Sequence, residues 1–324
     1  AGARLLSVLT GLPGVVLLLL SGLLIGRSGL GLVEPLDLGK GLETIVGLLV
    51  SLVLFDGGLN LRFPGGTIKS IVLRISSIRL IISLGAGFFA AHWFAGLGWS
   101  VAGVYSAIVL ATGPTVVTPL VRQIRLASPL SDVLEAEGLI LEPIGAVLAL
   151  LLLELVVGDL HGWKELFFGL LSRLGGGVLI GSIAGLLLSE GLKRLRSEPY
   201  IGIRLQLTLG VVFLLYGVCE WLLPESGLPA SVAAGFVVGQ RPSTQANELD
   251  ELIRELAQLA ITMLFPLLAA DVSWGELSPL GWGGITCVLF LMIVVRPIAV
   301  SIATFGLPLD NKQRLFLGWL APRG

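Results

Sequence analysis

The sequence predicts an all-α polytopic membrane protein arranged as inverted repeats, and three observations lead there. Of 324 residues, 55% are apolar and only 13% charged, about half the charge fraction of an ordinary soluble protein. So few ionic groups cannot cover a water-soluble globule of this size. Apolar runs of roughly 20 residues, the length that crosses a hydrocarbon core, recur along the whole chain between charges, prolines and glycines. Finally, Gly11-Leu12-Pro13 opens a segment closing in Gly22-Leu23-Leu24-Ile25-Gly26, and Gly227-Leu228-Pro229 opens one closing in Gly235-Phe236-Val237-Val238-Gly239. Glycine, at 44 residues, is near twice its usual ~7%, which suits helices packed backbone to backbone.

In chain order the apolar runs give ten spans and the start of an eleventh: a (12–32), b (41–61), c (80–97), d (100–121), e (133–157), f (174–189), g (201–223), h (227–239), i (256–270), j (280–305) and k, opening at Leu315. Spans h and i are short enough to be re-entrant or to borrow their flanks. Residues 163–173, with Trp163, Phe167 and Phe168, read as an interfacial stretch. Loops b/c, d/e, f/g, h/i and j/k hold fourteen Lys and Arg, including Arg74, Arg79, Arg204, Arg254 and Arg314, against four in the alternate loops. The positive-inside rule makes the first set cytoplasmic, so a, e and k run outward. Seven spans separate a from h, so the two copies lie in opposite orientations, the signature of alternating-access transporters. The chain starts Ala-Gly-Ala, and a fragment of a longer protein is expected.

An ionisable group near the bilayer centre costs at least ~2.5 to 3.5 kcal/mol and marks a functional site by default. Glu142 lies nine residues into span e, about 14 Å deep at ~1.5 Å per residue, and its neighbour Pro143 frees the carbonyl of Leu139. Such a carboxylate must take a proton or a cation to shed its charge. Glu137 lies five residues earlier and faces about 140° away. Its natural partner is Arg296 in mid-span j, a charge lipid does not tolerate alone, and the two read as a structural ion pair. In span d, Thr112-Gly113-Pro114-Thr115 breaks the helical ladder. The carbonyls and hydroxyls freed there suit a dehydrated alkali cation. Asp56, about six residues from the inner end of span b, either lines the inner approach or caps the helix.

Asp56-Gly57-Gly58-Leu59, Ala111-Thr112-Gly113-Pro114, Glu137 to Pro143, Arg296-Pro297 and Pro322-Arg323-Gly324 occur in that order. This series resembles the sodium/proton exchangers of the NhaP-like branch of the cation/proton antiporters, over nearly the whole chain. The resemblance implies an antiporter fold with a discontinuous (broken) helix pair and a chain truncated at both ends. Its Ala-Thr-Asp-Pro falls on the broken span d, with Gly113 in place of the aspartate. Its Glu-Ser-x-x-Asn-Asp puts the family glutamate at Glu137, the asparagine at Leu141 and the ion-binding aspartate at Glu142. It also pairs Glu137 with Arg296 and begins a second broken helix near Arg323.

The expected division is scaffold 12–97 (a–c), core 100–189 (d, e and linker f), scaffold 201–306 (g–j) and the second broken core helix from 313. The expected activity is exchange of Na+ or K+, bound at Glu142 with Thr112, Gly113, Thr115 and Asp56, for H+, one for one and electroneutral. The alternatives are a proton-coupled carrier of another small solute, or an ion channel. No cofactor is expected beyond the transported ions. The expected partners are the lipid bilayer, a second copy in a homodimer, and a C-terminal cytoplasmic regulatory domain outside this chain. The expected location is a prokaryotic plasma membrane. A net charge of −1 gives no case for nucleic acid, and two cysteines in apolar runs, Cys219 and Cys287, form no disulfide framework. Gly26-Arg27-Ser28-Gly29 matches the Gly-x-Ser-Gly of rhomboid-like proteases. That chemistry needs a histidine on a neighbouring helix, and only His92 and His161 exist, both near the outer face. No enzyme is expected.

Overall fold

The computed structural model describes residues 14–61, 66–111, 117, 121, 126, 130–160, 162–195, 201–241, 247–307 and 310–319. Among them the structure is helical: α1 (Gly14–Ile25), α2 (Lys40–Asn60), α3 (Gly66–Trp93), α4 (Trp99–Leu110), α5 (Leu130–Val157), α6 (Trp163–Arg194), α7 (Ile201–Leu222), α8 (Gly227–Gly239), α9 (Asn247–Asp271), α10 (Gly281–Phe290), α11 (Arg296–Ala303) and α12 (Asn311–Trp319). Seven of these stretches, counting residues 278–303 as one, are long and apolar enough to cross a bilayer. The protein is an integral, multi-pass membrane protein.

Three spans differ from their sequence reading. Span c begins at Gly66, not Leu80, because Arg79 is buried and paired inside the helix rather than solvated in a loop. Residues 163–173 are the outer end of the continuous, 32-residue α6, tied down where Arg173 Nη2 donates to Glu154 Oε1 at 2.9 Å. Span i borrows its polar flank and starts at Asn247, which puts Arg254 inside it; Arg204 and Arg314 likewise lie within helices. Span j holds a five-residue π turn, Leu291–Val295, immediately before Arg296. Pro297 has no N–H for the preceding turn, which leaves the ladder open to that wider register.

An offset of about 213 residues carries α1 onto α8, α2 onto α9, α3 onto the 278–303 stretch and α4 onto α12. Gly22 and Gly26 of α1 abut the backbone at Pro266 and Ala270 of α9, while their counterparts Gly235 and Gly239 of α8 abut Phe55 and Leu59 of α2. Both pairs run parallel, since residue numbers rise together. The end of α2 at Asn60 meets the start of α9 at Arg254, so these two run antiparallel. It follows that α1 and α8 point in opposite directions. Each copy's first helix therefore packs on the other copy's second helix. At these sites a methyl on glycine would strike backbone, so the close approach requires glycine.

Contacts gather the helices into two groups. One holds α1, α2 and α6–α9, around Phe55, Leu59, Leu188, Val212, Ala230 and Ala234. The other holds α3–α5 and α10–α12; Val117 and Val121 pack there with Leu134, Val300 and Leu317. Spans c and j pack in this second group, where Arg79 and Arg296 meet Glu137. Linker helix α6 packs with the first, against α7 and α8. The seam between groups runs along α5, which touches α2, α6 and α8.

Candidate ion site at the α4–α5 contact

Helix α5 carries Glu137 and Glu142 on opposed faces, as their spacing requires. Glu137 is 3% exposed. Arg79 Nη1 of α3 donates to its Oε1 at 2.6 Å, and Arg296 Nη2 of α11 lies 3.7 Å from its Oε2. The structure thus brings Glu137 and Arg296 together and adds a nearer cation. Arg79 was missed because it was counted as a loop charge. Its signal lay in the four-residue repeat Ile71, Ile75, Arg79, Ser83, all buried, which puts the arginine on an apolar helix stripe. The charge-assisted bonds offset the cost of burying these ions, and the trio binds three helices to one point.

The surroundings of Glu142 are of another kind. Its Oε2 is shut off from solvent and has no hydrogen-bond partner among the described residues. Three residues on, Gly145 presses against the end of α4, where a methyl on it would lie 3.0 Å from the Ala107 carbonyl and 3.1 Å from the Ala111 nitrogen. Residues three apart share a helix face. Glu142 therefore faces the neighbourhood in which α4 stops. That stop is abrupt: α4 ends at Leu110, and Ala111 leaves the helical conformation at φ −60°, ψ 121°. Thr112, Gly113, Pro114 and Thr115, the sequence-predicted ligands and break, lie outside the described residues, as does Arg323. Pro143 sits within the helix beside Glu142, and the buried Leu141 offers no polar ligand.

Asp56 is 4% exposed, one turn before the end of α2. Asn60 Nδ2 donates to both its carbonyl and its Oδ1 at 2.8 Å, and Arg254 Nη2 donates to Asn60 Oδ1 at 3.0 Å. A methyl on Gly57 would lie 2.5 Å from Leu139 Cδ2. This turn of α2 therefore touches α5 one turn below Glu142. Sequence reasoning gave Asp56 a role but not Asn60, and counted Arg254 as a loop charge; the i,i+4 spacing of Asp56 and Asn60 was the visible signal.

The serine of the protease-like motif is occupied otherwise. Ser28 donates to the Val272 carbonyl and accepts the Trp274 N–H at 3.2 Å, closing an outer turn. The His92 ring stacks on Trp99 at 3.6 Å, and His161 lies outside the described residues.

Comparison with known proteins points one way. A sequence family described as "Sodium/hydrogen exchanger, transmembrane" matches residues 1–324. The chain is 25% identical over 330 residues to the Na(+)/H(+) antiporter NhaH of Halobacillus dabanensis, covering 96% of this chain and 80% of that protein. It is 24% identical over 334 residues to the K(+)/H(+) antiporter NhaP of Alkalimonas amylolytica, covering 99% of this chain and 56% of that one. The solved structure of the sodium proton antiporter MjNhaP1 from Methanocaldococcus jannaschii at pH 8 matches with a TM-score of 0.81 at 23% identity, over 98% of this chain and 79% of that one. At that identity the likeness shows the fold.

Proposed function

Because this chain belongs to the sodium/hydrogen exchanger family, a family of transporters, we propose that Glu142 is the carboxylate at which it trades a monovalent cation, Na+ or K+, for a proton. The observation behind this reading is the solvent-excluded, unpartnered Oε2 of Glu142, facing the end of α4. A buried carboxylate without a donor is costly as an anion. A proton or a dehydrated cation each removes that cost at the same oxygens, so the two compete. Thr112, Thr115 and the carbonyls about Gly113 follow directly after Ala111 and serve as the remaining oxygen ligands. Asp56 serves as the inner waypoint, and Glu137 with its two arginines holds α3, α5 and α11 as one body. The second helix group moves against the first across the α5 seam. Only the neutralised site crosses, because the bare anion faces a low-dielectric gap. With Gly113 and Leu141 in place of polar ligands, one carboxylate carries one charge each way, and the exchange is electroneutral. A second copy of the chain is the proposed partner of the first helix group.

The test is reconstitution of the full-length protein into proteoliposomes containing a pH-sensitive dye, with NaCl, KCl and LiCl added in turn. Wild type is expected to move protons in response to a monovalent cation at a rate indifferent to imposed potential. Glu142→Gln is expected to abolish that response. Exchange that survives this substitution removes Glu142 from the mechanism, and a rate that follows the potential overturns one-for-one exchange.

A further inference from the structure

Two buried oxygens with no hydrogen-bond partner among the described residues flank the end of α4: Glu142 Oε2 on α5 and Ser83 Oγ on α3. Contacts on either side set the register of Ser83. As α3 steps back from His92, whose ring stacks on Trp99, to Gly87, α4 steps forward from Trp99 to Ser106. A methyl on Gly87 would lie 3.2 Å from Ser106 Cβ. The two helices therefore run antiparallel, and four residues further back Ser83 stands level with Leu110, where α4 stops. Ser83 and Gly87 share a helix face, so the hydroxyl turns toward α4 as Glu142 does from α5. The Glu137 trio puts Ser83 at the same depth. Arg79 meets Glu137, and eight residues beyond each, Gly87 and Gly145 both press on α4, at Ser106 and at Ala107 and Ala111. Helices α3 and α5 thus run in step, which sets Ser83 level with Leu141 and Glu142. Ser83 is 4% exposed. A buried hydroxyl without a bond destabilises the fold, and one turned to the same helix end as an unpartnered carboxylate is accounted for by a ligand they share. Hard cations take oxygen ligands, and a serine oxygen offers two lone pairs without adding charge. Ser76 Oγ, seven residues earlier on the same face, is equally buried and unpartnered, but it lies ~10 Å away along the helix.

We infer that the Ser83 hydroxyl is a neutral ligand for the transported cation, contributed by α3 at the α4 end that Glu142 faces from α5. This rests on the proposed reading of Glu142 as the exchange site. Proteoliposome exchange and thermal unfolding in detergent are measured on full-length protein, with NaCl and separately KCl as the probe, for wild type, Ser83→Ala, Ser83→Cys, Ser76→Ala and Glu142→Gln. Ser83→Ala is expected to raise the half-saturating cation concentration about tenfold, with the maximal rate within about twofold of wild type. Ser83→Cys keeps the size of the side chain but replaces its oxygen with a weak acceptor, and is expected to match Ser83→Ala. Ser76→Ala removes a hydroxyl of the same kind away from the site and keeps the wild-type half-saturation. Added cation raises the melting temperature of wild type and Ser76→Ala, and raises that of Ser83→Ala less at the same concentration. Unchanged half-saturation in both Ser83 variants, or an equal shift in Ser76→Ala, overturns the inference. Exchange that persists in Glu142→Gln overturns the reading of Glu142 instead, whereas its loss there with unchanged half-saturation in both Ser83 variants overturns only the role of Ser83.

Discussion

At the scale of single residues, burial sorts the acids by the company they keep. Glu225 lies in the turn between α7 and α8 with φ +65°, and its N–H donates to Glu220 Oε2 at 2.8 Å. Burial first, then the Glu220 charge, push its carboxyl up to about 7, against the pull of Arg173. The folded state thus holds this proton more tightly than the unfolded chain, whose value is near 4.5. Stability falls as pH rises from about 4.5 through about 7, then levels off. Glu225→Gln is expected to melt like wild type at pH 5 and at a higher temperature at pH 8, checked by thermal unfolding in detergent; equal melting at both pH values counts against this. Glu137 is the contrasting case. Glu137→Gln takes away the carboxylate that two buried arginines share, a cost of roughly 3 to 5 kcal/mol, and Arg79→Met leaves Glu137 the longer, 3.7 Å contact to Arg296. Each is expected to lower folded yield and melting temperature; normal melting with a changed cation dependence would place Glu137 at the ion instead.

At the scale of the helix, glycine decides where elements meet. Gly235 lies against the Phe55 carbonyl and 3.0 Å, measured from a methyl built on it, from the Leu59 nitrogen. Gly217 on α7 has nothing within 4 Å. The same substitution should act in opposite directions at the two sites. Gly235→Ala forces α2 and α8 apart and is expected to lower the melting temperature, whereas Gly217→Ala gains up to about 1 kcal/mol of helix propensity. A matching response at both sites would mean that α2 and α8 are not in this close register. Helix existence was legible in the sequence because apolar length is set by the bilayer. The start of α6 was missed because its outer aromatics, Trp163, Phe167 and Phe168, read as an interfacial stretch; the starts of α3 and α9 were missed for another reason. Arg79 and Arg254 were read as loop markers, yet each finds a carboxylate or an amide across a helix contact, and pairing of that kind is invisible in a linear pattern.

Across the whole molecule, the family resemblance ran the length of the chain and led to the right fold. The acids Glu137 and Glu142 were separable by helix angle alone. The grouping of helices was not, because a span's hydropathy says that it crosses the bilayer but not beside which neighbour it packs. Spans c and j meet at the Glu137 trio although about 200 residues separate their arginines, Arg79 and Arg296. The inverted repeat was legible from two Gly-Leu-Pro openings. Its crossed packing was not, because glycine spacing does not name the partner backbone.

That crossed packing bears on how the protein is made. Ser28 and Val272, bonded across the outer turn, are 244 residues apart. At ~5 to 20 residues per second of synthesis, α1 waits roughly 12 to 50 s after it emerges before α9 exists to cover its glycine face. During that interval the first half sits in the bilayer with a notch cut for a helix not yet translated. A lipid tail or an insertase groove must fill it and then yield to α9. The same crossing means that the two halves, had they arisen as separate chains, could close only by exchanging helices, so fusion into one chain removes the chance of pairing with the wrong neighbour.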